Sequence, residues 1–172
     1  MPMPVARILA GRVLLALALL GVSAQAHADP IRHLAGQLAK GAGRLVKRKA
    51  LVLPFPDAGH LTASSISVQD QLTAKLSGRH GLQVLKASQV RSYLTQSRIN
   101  PAELVNPDVA QRIGLLLGVD AVVAGGLAET DTHRCTAEAV LINTGIGEIL
   151  ASAQAKWKKS CADLAPALTS QH

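Results

Sequence analysis

Asp57 and His60 form the one acid–histidine pair near the end of a buried strand, and they could be half of a hydrolytic or metal site. No nucleophile is recognisable beside them, and an aspartate in a loop ordinarily bonds neighbouring amides, so a turn role is favoured. His133 and Cys135 stand two residues apart and would share one strand face. That spacing suits copper or zinc, but two ligands do not make a site. Gly125-Gly126 has no following helix N-terminus to cradle a phosphate, so a close backbone approach or a bulge is expected there. No catalytic or metal site and no cofactor is expected.

Cys135 and Cys161 are the only cysteines. An even count favours a disulfide in an oxidising compartment, and the bridge would close a loop of about 25 residues worth ~3 kcal/mol. Two separate thiols are the alternative. Near the end of the last strand, Lys156, Lys158 and Lys159 surround Trp157. These lysines are candidate partner-binding residues, since positive charge steers acidic partners and an exposed indole can anchor them. Trp157 has a competing place in the core, because it shares a strand face with Ile149, Ala151, Ala153 and Ala155.

The elements that must position these residues follow from hydrophobic period and capping. Ile31, Leu34 and Leu38 mark a short amphipathic helix, and Ala50 to Leu53 a buried strand ended by Pro54-Phe55-Pro56. Ser64 or Ser65 is expected to cap a helix carrying Val68, Leu72 and Leu76. Leu82 to Leu85 is a second strand, and Ser88 is expected to cap a helix with Val90 and Leu94. Asn106 and Pro107 open a further helix with Val109, Ile113, Leu116 and Leu117 as its apolar stripe, and Gly118 closes it. Gly114 inside that helix costs ~1 kcal/mol against alanine, for which tight helix–sheet packing would compensate. Val119 to Ala124 is apolar throughout and belongs in mid-sheet.

From Arg134 to Asn143 and from Glu148 to Lys158 the pattern changes to period two, with apolar residues on odd positions. The order helix, β, α, β, α, α, β, β, β predicts a single-domain α/β sandwich. It has a mixed sheet, helices on one face and a C-terminal antiparallel three-strand meander.

The N-terminus reads as an export signal. Arg7 and Arg12 precede an apolar run, Val13 to Val22, too short to span a membrane, and Ala26-His27-Ala28 fits a cleavage site. The expected organisation is signal peptide 1–28, amphipathic helix 29–48, α/β domain 49–159 and tail 160–172. No cysteine stands at the cleavage site, so the expectation is a periplasmic protein without lipid attachment, able to associate peripherally with the envelope and to oligomerise. Removing 1–28 lowers the formal charge from +7 to +5, because the segment holds two arginines and no acid. Aromatic residues are only 2% of the chain, which together with export argues against nucleic acid.

The strand Leu51 to Phe55, the loop at Asp57 and the helix start at Ser64-Ser65 resemble the opening of TolB N-terminal-like domains. Val84-Leu85 before Ser88-Gln89-Val90, the segment Ala110 to Gly125, and Thr144-Gly145 before Glu148 follow in the same order. Within that superfamily the chain looks closest to FlgO-like and CsgG-like envelope proteins, with penicillin-binding-protein activator lipoproteins more distant. The resemblance covers Ala50 to about Ala155. It implies a non-enzymatic envelope component with protein partners, flagellar or secretion-related. The alternative is a periplasmic ligand-binding or regulatory module acting on a cell-wall enzyme. Two departures matter: many relatives carry a lipid-attachment cysteine, and there is no room for the membrane hairpins of a curli-type channel.

Overall fold

The computed structural model describes residues 29–166, and Asp29 Oδ1 accepts the Ile31 N–H at 3.1 Å to cap the first helix. That helix, α1, spans Pro30–Gly41. In chain order follow β1 (Lys49–Val52), α2 (Ala63–Leu76), β2 (Gln83–Val84), α3 (Ala87–Gln96) and α4 (Pro107–Leu116). The strands β3 (Ala121–Glu129), β4 (Cys135–Asn143) and β5 (Ile149–Lys156) complete the fold. The expected element order is therefore observed, while the signal segment 1–28 and residues 167–172 lie outside the described residues.

The five strands form one mixed sheet in the order β2-β1-β3-β4-β5. β1 runs parallel to β2 and β3, and β3, β4 and β5 make the antiparallel meander. Helices pack on both faces, however, and not on one. Ala50, Val52, Ala121 and Val123 point into a core shared with α1 and α2, while Leu51, Leu53, Val122 and Ala124 point into a second core with α3 and α4. The physical sign was the continuous apolar run of the central strands, which fits burial on both sides.

Local chemistry explains several departures from expectation. Thr62, not Ser64 or Ser65, caps α2; Ser65 supplies the return bond of a capping box, 3.0 Å to the Thr62 N–H. α3 begins after Lys86 without a side-chain cap, so Ser88 is already inside the helix. α4 keeps its Asn106 cap and Pro107 start, and Gly118 turns the chain at φ +67°. The Val119 N–H bonds the Gly114 carbonyl at 3.0 Å and the Gly118 N–H that of Leu115 at 3.2 Å, the paired bonds of a Schellman stop. Ala110, Ile113 and Gly114 are its buried residues, whereas Leu116 faces out. β3 runs through Gly125-Gly126 to Glu129. A register shift at Leu141/Ile142 turns Leu150 into the core and leaves Ile149 exposed. The alanine-rich face does admit a close helix: a Cβ on Gly41 would lie 2.8 Å from that of Ala151.

Candidate interaction surface

The two faces of the sheet are covered unequally. α1 and α2 pack across one face, but on the other α3 and α4 stop at β1, β3 and the lower part of β4. Above Val140 the outward residues of β4, Thr136 and Glu138, lie beside Ser152, Gln154 and Lys156 of β5 without a helix over them. Val105 and Pro107, at the entry to α4, form a wall beside this bare strip. Together they bound an open groove of about 760 Å³ with a floor of small residues, Ala124, Gly126 and Ala128 among them.

The two adjacent glycines face opposite ways. On the covered face, a Cβ on Gly125 would lie 2.2 Å from the Glu138 carbonyl oxygen and 2.6 Å from the Phe55 ring of the α1–α2 core, so only glycine fits there. At Gly126 the nearest obstacle is Val105 at 3.2 Å. The expected close backbone approach is thus found. Gln154 Nε2 donates to Glu138 Oε1 at 3.0 Å across the strands, and the Thr136 hydroxyl donates to the Ala128 carbonyl at 3.1 Å. These exposed groups offer a partner both donors and acceptors.

Lys156 projects on this strip opposite Thr136, and Lys158 and Lys159 continue from it, all three exposed. Trp157 points the other way and packs half-buried against the α1–α2 core. The core place, not the indole anchor, is the one it occupies. The backbone of this stretch is held by bonds from Trp157 N–H to the Cys135 carbonyl and from Cys135 N–H to the Lys159 carbonyl, both 2.8 Å.

Cys135 and Cys161 are bonded, with Cα atoms 4.7 Å apart. The bridge fastens the segment after β5 to the start of β4, and the Cys161 N–H also donates to Glu129 Oε2 at 3.2 Å. Beyond it, Ser64 and Ser67 of α2 donate to the carbonyls of Ala162 and Leu164. His133 does not share a strand face with Cys135. It sits in the β3–β4 turn at φ +52°, with Nδ1 3.0 Å from Glu129 Oε1. That hydrogen bond, with the Cys161 amide second, holds the Glu129 carboxyl below its usual pKa.

Asp57 and His60 close a two-residue turn through reciprocal backbone bonds of 2.8 and 2.9 Å. Ala58 and Gly59 occupy its centre at φ +48° and +81°, and the backbone beside Asp57 bridges to Leu127 of β3. The observed bonds of Asp57 are those of its backbone, not the carboxylate-to-amide contacts expected of it. Among the described residues no group of three or more His, Cys, Asp and Glu side chains is placed to hold a metal ion. No described helix is long and apolar enough to cross a membrane.

The period-two pattern put Thr136, Glu138, Gln154 and Lys156 on one face from sequence alone. It could not show that this face stays bare, nor that Val105 and Pro107 would wall it, because both depend on where α4 docks.

No protein-family profile matches the chain, and no curated protein matches it in sequence. Its fold is similar to solved structures. The NMR structure of Escherichia coli LpoB matches at TM-score 0.58 and 16% identity, covering 91% of this chain and 81% of LpoB. The LpoB C-terminal domain from the same organism matches at 0.55 and 18%, covering 76% of this chain and 99% of that domain. Lipoprotein GNA1162 from Neisseria meningitidis matches at 0.52 and 21%, covering 64% and 81%. At these identities the likeness is one of fold.

Proposed function

We propose that this protein is an exported, non-catalytic envelope module that binds a cell-wall enzyme and regulates it through the bare β4–β5 face. One observation carries the reading: a sheet covered by α1 and α2 on one side leaves two strands and a groove uncovered on the other. The fold likeness to LpoB favours this class over flagellar or secretion assembly. It also leans toward the more distant of the sequence resemblances, that to penicillin-binding-protein activators. Lys156, Lys158 and Lys159 extend the face and would steer an acidic partner toward it. The site of action is the periplasm, reached by cleavage after Ala28; N-terminal sequencing of the periplasmic form should begin at Asp29.

Photocrosslinking groups placed at Ser152 and Gln154, with Asp70 on α2 as control, test the assignment in cells. Capture of a peptidoglycan synthase from the two groove positions and not from Asp70 is the expected result. Capture of flagellar or secretion components instead would move the protein to the assembly class. Capture from Asp70 alone would displace the interface to the α1–α2 face.

A further inference from the structure

The fold gathers its uncovered apolar side chains at one end of the sheet. β1 and β3 start together there, with Ala50 opposite Ala121; Ala121 lies opposite Asn143 at the end of β4, and Ile142 opposite Ile149 at the start of β5. α4 also ends there, because Gly118 turns it straight into β3. Of the seven exposed large hydrophobic residues among those described, five sit at this end: Val46, Leu115, Leu116, Ile146 and Ile149. Val46 is 100% exposed, Ile146 71% and Leu116 66%. Single exposed apolar residues are ordinary; five at the tips of three adjoining segments are not.

Contacts join those segments. Gln111 Nε2 donates to the Thr144 carbonyl at 2.9 Å, pinning α4 to the turn that carries Ile146. Arg44 reaches Glu148 at 3.7 Å, tying the loop before β1 to the start of β5. Lys47, Arg48 and Lys49 share a depression of about 320 Å³ with Gly118 and Asp120. Arg48 is fixed there by its bond to the His80 carbonyl. Of the acids described at this end, Glu148 is paired with Arg44, and Asp120 accepts the Lys49 backbone N–H at 3.1 Å. Asp120 keeps its charge in that bond, so Lys47, Arg48 and Lys49 against Asp120 leave the balance beside the apolar tips positive.

We infer that this end docks on an anionic phospholipid surface. Exposed apolar tips flanked on the β1 side by a cluster of cations match a bilayer, whose phosphates lie above an apolar layer that the tips can enter. An acidic protein would account for the cations but would leave Val46, Leu116 and Ile146, on separate segments, without a common pocket to fill. Lys156, Lys158 and Lys159 stand at the opposite end of β5, so a docked molecule still presents them, and the groove, to a partner.

Cosedimentation of purified residues 29–172, which hold the whole described fold without the N-terminal apolar run, tests this with vesicles and no partner protein. It is therefore independent of the proposed enzyme partner. Binding is expected to vesicles of equimolar phosphatidylcholine and phosphatidylglycerol, and little to phosphatidylcholine alone. Replacing Lys47 and Lys49 by Gln should weaken it on the order of thirtyfold, the ~2 kcal/mol that two cations near an anionic leaflet contribute. Replacing Leu116 and Ile146 by Ser should weaken it as clearly, and Lys156, Lys158 and Lys159 by Gln should leave it nearly unchanged. Circular dichroism melting checks that each variant is folded. Failure of the parent protein to sediment, loss with the Lys156–Lys159 changes instead, or binding indifferent to Leu116 and Ile146 would overturn the inference.

Discussion

A Cβ on Gly114 would lie 2.3 Å from Cγ2 of Val122, so α4 rests on β3 at a distance that only glycine permits. Thr144 Cγ2, at 2.4 Å, closes the same gap from the β4–β5 turn. Gly114→Ala should therefore destabilise the fold by about 1–2 kcal/mol: overpacking costs ~1–3 kcal/mol and outweighs the ~1 kcal/mol that alanine contributes to a helix. Urea unfolding reads the difference. A stabilised variant would mean that the contact is loose.

Gln69 is wholly buried, and its Nε2 donates to the Val52 carbonyl at 2.8 Å. That carbonyl points to the side where Ala50 bonds the Leu85 N–H, but β2 ends too early to reach it. The side chain thus continues the sheet's hydrogen bonding, and Arg91 holds its other end at 2.8 Å. Gln69→Leu should cost about 1–3 kcal/mol by leaving the carbonyl unpaired in the core. A neutral result in denaturant titration would show that another donor takes over.

The Cys135–Cys161 bridge closes a 26-residue separation and should contribute ~3 kcal/mol. Intact protein should weigh two hydrogens less than its reduced form. The double serine variant should remain folded at lower stability, with the segment around Ala162 and Leu164 exchanging amide hydrogen faster. Two alkylatable thiols in freshly isolated protein would contradict the bridge.

Glu129 makes stability depend on pH with a definite sign. Its pKa is lowered in the fold, chiefly by the His133 hydrogen bond and then by the Cys161 amide. Its contribution is present above the unfolded carboxylate value of about 4.3, and it is lost as pH falls through the lower folded value. Glu129→Gln should flatten the acid limb of stability against pH. An unchanged limb would assign it to other carboxylates.

Much of this fold was legible because the burial pattern is local. Asn106-Pro107 and Gly118 bracket α4, Val68, Leu72 and Leu76 mark one face of α2, and odd-numbered apolar residues mark β4. What was not legible depends on docking. Apolar spacing alone puts Leu116 in the stripe of α4, but helix orientation is set by the Gly114 contact, which turns Ala110 inward and Leu116 out. The extra residue at Leu150 moves Ile149 off the apolar face, and period counting cannot foresee a bulge. Lys156 was visible as an exposed cation, yet the groove beside it arises from where Val105 and Pro107 come to rest.

The central claim is that the protein acts by binding at the bare β4–β5 face, and the affinity of a Ser152→Trp variant for the crosslinked partner measures it most directly. The indole would fill the groove over Val140 without entering either core, since Ser152 is exposed and pairs with Val140 across the strands. Titration calorimetry with the purified partner should show affinity at least tenfold weaker, about 1.4 kcal/mol, with the melting temperature unchanged. Parental affinity in a folded Ser152→Trp protein would contradict the account and place the interface elsewhere on the molecule.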